Sequence, residues 1–401
     1  MTAKSIAIIG AGPAGLTAAE RLAGQGHSVT VFDRMPSLAR KLLMAGRGGL
    51  NLTHSELFPD FLKRYGAAEK FLRPALEAFP PEAVIAWCEG LGQETFAGSS
   101  GRVFPKAMKA SPLLRAWLRR LGGLGVRFMP GHRWLGWEGG ALAFAAGGSR
   151  AAFAADATIL ALGGASWPRL GSDGAWTEVL RARGVALSDF QPSNCGFEVN
   201  WSEFMRERHA GAALKRISVS IGDVSRMGEA SIARYGIEGG AVYAVSAALR
   251  GALARASPAT LLLDLRPGLP ADELARQLSL PRKGQSIANV LRKAGLSPQA
   301  IALLREAGSG ALPGDPRALA ELVKSVPLTI QRPRGLERAI STAGGVAWDA
   351  VNERFMLKSV PGVFAAGEML DWEAPTGGYL LQACFSTGAA AAEGAAEWLS
   401  R

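Results

Sequence analysis

The stretch Ser5-IAIIGAGPAGLTAAERLAGQGHSVTVF-Asp33 decides the reading of this chain. It runs from a short apolar strand, Ile6 to Ile9, through a glycine loop into a helical pattern reaching about Gly24, then into a second apolar strand, Val29 to Phe32. In the loop Gly10-Ala-Gly12-Pro13-Ala14-Gly15, Gly10 permits the tight turn, Gly12 lets the backbone approach a pyrophosphate, and Gly15 brings helix and strand together. Free N–H groups and the dipole at the helix start favour the anion. Asp33 ends the second strand 23 residues after Gly10, where its carboxylate can accept hydrogen bonds from a ribose diol, and Arg34 follows it. Glycine spacing alone is also a common turn pattern. The two strands and the terminal acid are what point to an adenine dinucleotide.

The composition is that of an ordinary globular protein: 401 residues, 48% hydrophobic and 20% charged, enough for a substantial core and two or three domains. The three cysteines, Cys88, Cys195 and Cys384, lie far apart, so neither a disulfide framework nor a zinc cluster is indicated. The four histidines, His27, His54, His132 and His209, show no ligand spacing, and no metal is expected. The first strand opens at Ser5 without a basic leader region, so it does not read as a signal peptide, and a cytoplasmic location is expected. The small-residue run Ser386 to Ala396 reads as a packed helix rather than a membrane span, because it is short and carries Glu393. Net charge is +11, with arginine-rich stretches at Arg115–Arg120, Arg206–Arg216 and Arg332–Arg338. A solvated basic surface is the favoured reading and nucleic-acid binding the weaker one, since no aromatic-interleaved basic motif or zinc finger accompanies these stretches, Trp117 being the one aromatic residue within them.

Along the chain, residues 1–190 alternate strand and helix patterns, with helices expected at Arg73–Leu91 and Ser111–Leu121 and a buried strand in Ala157-TILALG-Gly164. Residues 191–333 change to short alternating segments such as Leu214-KRISVSI-Gly222, with a helical stretch over about 270–323. Residues 334–401 return to a short buried strand at Val363–Ala366 and a terminal helix from about Tyr379 to Leu399. The fold class expected is α/β: a discontinuous Rossmann-like dinucleotide-binding domain with an inserted β-rich, barrel-like domain carrying a small helical subdomain. A chain that opens directly on the first strand is common among large flavoproteins, which extends the dinucleotide reading to FAD by analogy.

Further glycine-rich segments follow in a specific order: Arg40-KLLMAGRGGLNLTHS-Glu56, Gly101-RVFPKAMKA-Ser111, Ala161-LGGASWPRLGSD-Gly174, Tyr235-GIEGGAVYAV-Ser246, Ser341-TAGGVAW-Asp349 and Gly367-EMLDWEAPTGGYLLQACFST-Gly388. With the first loop they resemble, almost end to end, the aminoacetone oxidase family of FAD-binding enzymes, which includes a bile-acid dehydro-steroid reductase branch. The chain departs from the family where Leu50-Asn51 stands in place of Cys-Asn and where Leu380 follows Gly-Gly-Tyr in place of Asn. Both departures bear on the substrate pocket.

The resemblance implies that Arg40 and Lys41 balance pyrophosphate charge, and that Gly46, Gly48 and Gly49 allow close approach to the flavin, with Asn51 beside ring or substrate. Gly163 and Gly164 end a strand that faces the ligand, and Gly367 and Glu368 stand where an acid hydrogen-bonds the ribityl chain. Thr376 can cap a helix that starts near Gly377-Gly378 and directs its N–H groups at the flavin's pyrimidine edge. Asn51, Arg102, Ser166 and Tyr379 are the candidates for substrate contact, and no catalytic base is assigned. His54 either shuttles a proton or caps a turn.

Gly236-IEG-Gly240 lacks the spacing of a second phosphate loop, so NAD(P)H, if used, binds transiently as reductant, and dioxygen is the alternative partner. The activity expected is hydride transfer between a small organic substrate and FAD. The alternatives are an RNA-associated flavoprotein and a flavin-binding protein without turnover. Oligomeric state is not legible.

Overall fold

The computed structural model describes residues 3–279, 286–308 and 310–401, and the chain divides into two units: residues 1–191 with 341–401, and 192–340 between them. The junctions therefore fall at 191/192 and 340/341, rather than at 190/191 and 333/334. Residues 334–340 stay with the inserted unit because Arg334 N–H donates to the Gly196 carbonyl at 2.8 Å and Ile340 N–H to that of Asn194 at 3.2 Å.

The first unit is built on a five-stranded parallel sheet in the order Val363–Ala365, Ala157–Leu160, Ser5–Ile9, Ser28–Asp33, Arg127–Pro130. Its central strands are continuous apolar runs buried on both faces; Ile6, Ala7 and Ile8 have no exposed surface. The helix Pro13–Gly24 follows the first strand and packs against the terminal helix Tyr379–Leu399. Small residues set that distance: a Cβ at Gly388 would lie 2.3 Å from the Ala14 carbonyl oxygen. The terminal helix contains the small-residue run, and no helix among the described residues is long and apolar enough to cross a membrane.

The helix expected over Arg73–Leu91 is two helices, Glu69–Ala78 and Pro81–Gly90. The break has a plain cause, since the paired prolines at 80 and 81 lack the N–H donors that would continue the first helix. A carboxylate ties this region to the core. Glu20 accepts from Trp87 Nε1 at 3.0 Å, Trp117 Nε1 at 2.7 Å and Arg120 Nη1 at 2.9 Å. Glu20→Gln leaves one acceptor oxygen for three donors, and a cost of about 2 kcal/mol is expected. An unchanged urea midpoint in that variant would show that these bonds add nothing to stability.

An antiparallel three-stranded meander, His132–Glu138, Ala141–Ala146 and Ser149–Phe153, leads into the strand Ala157–Leu160. Phe144 of the meander stacks on Phe32 at 4.2 Å between ring centroids. That contact seats the meander over the end of the strand that carries Asp33.

The second unit is a closed six-stranded barrel in the order Phe197–Val199, Gly236–Glu238, Val224–Ala233, Ala213–Ile221, Ala259–Asp264, Val326–Pro333, returning to the first, with antiparallel pairings throughout. Alternation fills the interior: in Ala259–Asp264, Ala259, Leu261 and Leu263 are buried while Thr260 and Leu262 are exposed. Between the last two strands lie the helices Ala271–Leu278, Ile287–Lys293, Pro298–Ala307 and Pro316–Lys324. The last three open on N-caps from Ser286, Ser297 and Asp315, whose side chains accept a backbone N–H. Residues 280–285 of the expected helical stretch lie outside the described residues.

Candidate active site

The three loop glycines have different physical reasons. Gly10 adopts φ +108°, and a Cβ there would lie 2.2 Å from the Ala161 carbonyl oxygen. A Cβ at Gly15 would lie 1.9 Å from the Gly10 carbonyl oxygen. Both are glycines for the protein's own sake. Gly12 is not: its backbone is extended at φ −80°, ψ −179°, and a Cβ would meet nothing within 4 Å. Neither backbone strain nor packing demands glycine here, and the open space it preserves belongs to the cleft it lines.

Pro13 opens the following helix, whose first turn holds no acidic residue and no side-chain cap, so its free N–H groups remain available to an anion. Asp33 stands across the loop. Its Oδ2 accepts from Ala11 N–H at 3.0 Å and its Oδ1 from Met35 N–H at 2.8 Å. Burial pushes its carboxyl up against the opposing pull of those two bonds and of Arg34.

The cleft has a volume of ≈ 240 Å³. It is lined by Gly10, Gly12, Pro13, Ala14, Asp33, Arg34, Arg40, Lys41, Gly163, Gly367 and Glu368 among the expected cofactor residues. Residues from three distant parts of the chain thus converge on one side of the sheet. Arg34 and Lys41 do not stand free in it. Arg34 pairs with Asp173, and Lys41 Nζ donates to Glu368 Oε2 at 2.5 Å and Ser166 Oγ at 2.7 Å. Of the two cations expected to balance pyrophosphate charge, only Arg40 is without a hydrogen bond or ion pair among the described residues. Cys384 also reaches the cleft, and burial first, then the Glu368 charge, pushes its thiol up to about 12, so it remains protonated.

Gly15 and Gly164 lie just behind the cleft; a Cβ at Gly164 would meet Thr342 Oγ1 at 2.5 Å. Gly46, Gly48, Gly49 and Asn51 stand outside its lining. A Cβ at Gly46 would strike Ala110, whereas Gly48 borders open space and Gly49 adopts φ +111°. Asn51 Oδ1 is buried without a partner, the condition of a group whose ligand is not yet in place.

Three expected roles need correction. Thr376 does not cap the terminal helix: Gly377 and Gly378, at φ +144° and +101°, turn the chain, and Gly378 is the N-cap. Its carbonyl takes the first helical bond from Gln382 N–H at 3.0 Å, leaving Thr376 too far back to reach the first turn. Ser166 has no exposed surface, and its hydroxyl holds Lys41 rather than facing a substrate. Tyr379 is 4% exposed, and its hydroxyl donates to Glu56 Oε1 at 2.5 Å. Glu56 is gripped in turn by Arg64, through Nε at 3.0 Å and Nη2 at 2.5 Å, and Tyr65 donates to the Tyr379 carbonyl at 2.8 Å. The His54 ring stacks on Tyr379, and its Nδ1 accepts from Glu56 N–H at 3.1 Å, which is the turn-holding alternative for that histidine. Arg102 is half-buried on the strand Arg102–Pro105, beside His54, with no side-chain partner among the described residues.

Sequence reasoning missed the far wall. His132, Arg133, Trp134 and Leu135 of the meander line the cleft, as do Ser172, Trp176 and Val179. Trp134 is 8% exposed, and its Nε1 is buried without a partner. The run Arg133-WLGW-Glu138 offers no period-2 signal, because its two indoles stand three residues apart, and nothing local connects it to the loop.

A glycine cradle kept open at Gly12, a helix start facing it, an acid at the ribose position and a buried unpaired Nε1 at Trp134 fit the adenosine diphosphate half of FAD. The fold and cleft define a flavin-dependent oxidoreductase with a Rossmann-type FAD-binding unit. The chain belongs to the HI0933-like family, whose Rossmann domain matches residues 4–394. It is similar to a 3-dehydro-bile acid delta(4,6)-reductase of Clostridium scindens, 27% identical over 98% of this chain and 99% of that protein. A shorter likeness, 54% identical over 52 residues or 13% of each chain, joins it to a ribosomal RNA dihydrouridine synthase of Haemophilus influenzae. Among solved structures, the 3-ketosteroid delta1-dehydrogenase of Sterolibacterium denitrificans shares the fold, with a TM-score of 0.56 and 15% identity over 99% of this chain and 100% of that one.

Proposed function

We propose that the protein uses FAD to reduce a carbon–carbon double bond conjugated to a carbonyl in a small organic molecule, with NAD(P)H as the source of the electrons. The observation that carries this is the likeness to a double-bond reductase over essentially the full length of both chains. Such a reduction adds a hydride to the β-carbon and a proton to the α-carbon of the conjugated system. FAD, when bound, supplies the hydride. The chain's residues hold that cofactor: the loop at Gly12 and the free N–H groups after Pro13 take the pyrophosphate, Asp33 the ribose, and Glu368 a hydroxyl of the ribityl chain. The terminal helix directs its positive end from Gly378, and a positive potential beside a flavin favours its reduced, anionic form.

The test is anaerobic mixing of the FAD-loaded protein with NADH or NADPH, followed by addition of a conjugated enone. Bleaching of the flavin band and its return on enone addition are expected. A flavin that bleaches only with an amine, and returns only with dioxygen, would overturn the reductase reading in favour of an oxidase.

A second reading has its own observation. Residues 192–340 hold twenty Lys and Arg against thirteen Asp and Glu, +7 of the chain's +11, and Lys215 and Arg216 stand exposed where the strand Ala213–Ile221 shifts register. Arg216 adopts φ +52°, a backbone state that costs about 1–2 kcal/mol for a residue with a side chain. With the local likeness to an RNA dihydrouridine synthase, this supports uracil in RNA as the conjugated substrate; the C5–C6 bond of uracil is of the same chemical class. Here the apparent affinity for structured RNA should fall by about tenfold or more between low and physiological salt, and less steeply in a Lys215→Ala/Arg216→Ala variant. RNA retention that is absent even at low salt would remove this reading and leave the small-molecule one.

A further inference from the structure

Lys41 is engaged by a network that crosses four separated parts of the chain. Its Nζ donates to Glu368 Oε2 at 2.5 Å and to Ser166 Oγ at 2.7 Å. The other oxygen of Glu368 accepts from Thr342 N–H at 3.0 Å, and Thr342 Oγ1 accepts from the N–H groups of Ala165 at 2.9 Å and Ser166 at 3.0 Å. Ser166 and Thr342 have no exposed surface, while the side chains of Lys41 and Glu368 keep 28% and 13% exposure and line the cleft.

Chemistry assigns the parts. A carboxylate has about four lone-pair sites, of which Lys41 and Thr342 occupy two, so Glu368 can still accept from a hydroxyl-bearing ligand. Without the ammonium, an ionised Glu368 would stand largely buried in a cleft that must also receive a pyrophosphate, and that charge would go uncompensated. Arg40, by contrast, lines the same cleft with no partner among the described residues, which is the state of a cation awaiting an anion.

We propose that Lys41 is a positioning residue for the cofactor rather than a phosphate counter-ion: it holds the Glu368 carboxylate in place for a ribityl hydroxyl, and Arg40 meets the phosphate charge. The inference rests on the FAD reading of the cleft.

The two roles separate in a double-mutant cycle on FAD affinity, measured by titrating the apoprotein and following flavin fluorescence. Lys41→Met and Glu368→Gln are each expected to weaken FAD by about tenfold, and the double variant by no more than the worse single, because both break one interaction. Lys41→Arg, which keeps the pair, should bind nearly as the wild type. Lys41→Met should keep the wild-type salt dependence of FAD binding, while Arg40→Met flattens it.

A double variant weakened by about a hundredfold, or a Lys41→Met protein with flattened salt dependence, would make Lys41 a direct counter-ion and overturn the proposal. Unchanged affinity in both single variants would overturn it too. Melting of each apoprotein reports folding, and Lys41→Gln, which retains a donor toward Ser166, replaces Lys41→Met in the cycle if the latter fails to fold. A wild-type protein that takes up no FAD would instead sink the cofactor reading itself.

Discussion

Gly12→Val is expected to reduce FAD affinity by more than about a hundredfold, equivalent to about 2.7 kcal/mol, while leaving the apoprotein as stable as the wild type to within about 1 kcal/mol. The separation of the two effects follows from the glycine's surroundings. Its extended backbone suits any residue, and a Cβ meets no protein atom within 4 Å, so the branched side chain has room in the protein and none beside a pyrophosphate. Gly10→Val and Gly15→Val are the contrast. Their side chains would be driven into the Ala161 and Gly10 carbonyl oxygens, at 2.2 and 1.9 Å, so the fold itself should suffer before binding is reached. Thermal melting of the three apoproteins and FAD titration of those that fold give the comparison. Full flavin occupancy in Gly12→Val would remove the loop from the site.

The same contrast explains what could be read from the sequence. The strand, loop and helix around Gly10–Gly15 are local, and the alternation of Ala259–Asp264 reports a half-buried strand wherever it occurs. Glu368 and Lys41 were each legible as cleft residues from the motifs around them, but their pairing joins positions 327 apart in sequence, and no periodicity carries that information. Thr376 misled for a local reason. A threonine before a helix resembles a cap, yet the two glycines between it and Tyr379, both at positive φ, move the helix start out of its reach. The meander was invisible as a site because Trp134 is brought to the cleft by the stacking of Phe144 on Phe32, a contact between residues in different strands. Tyr379 was legible as a residue of note but not as to its role, since its partner, Glu56, lies 323 positions away at the end of a segment read for its cations, glycines, Asn51 and His54.

Removing that partner should be among the most damaging single changes to the first unit. Glu56→Ala strands the Tyr379 hydroxyl and the Arg64 guanidinium, and with them the start of the terminal helix and the turn at His54, so a loss of about 3–4 kcal/mol at neutral pH is expected in urea unfolding. The Arg64 side chain is 35% exposed, and that access to water keeps the cost from being larger. Glu56→Gln tests the charge apart from the packing. Burial raises the Glu56 carboxyl, but hydrogen bonds from Arg64 and Tyr379, and then the charge of Arg64, outweigh it and hold the group below its ordinary range. A carboxylate lowered in the folded state binds fewer protons there than in the unfolded chain, so its stabilisation is full above the unfolded value, about pH 4.3, and is lost as pH falls through the folded one. The stability gap between wild type and Glu56→Gln should accordingly be constant from about pH 7 to 5 and narrow below about pH 4.3. A gap that widens on acidification would mean that Glu56 is protonated more readily in the folded protein than in the unfolded chain, and that Arg64 does not hold its charge.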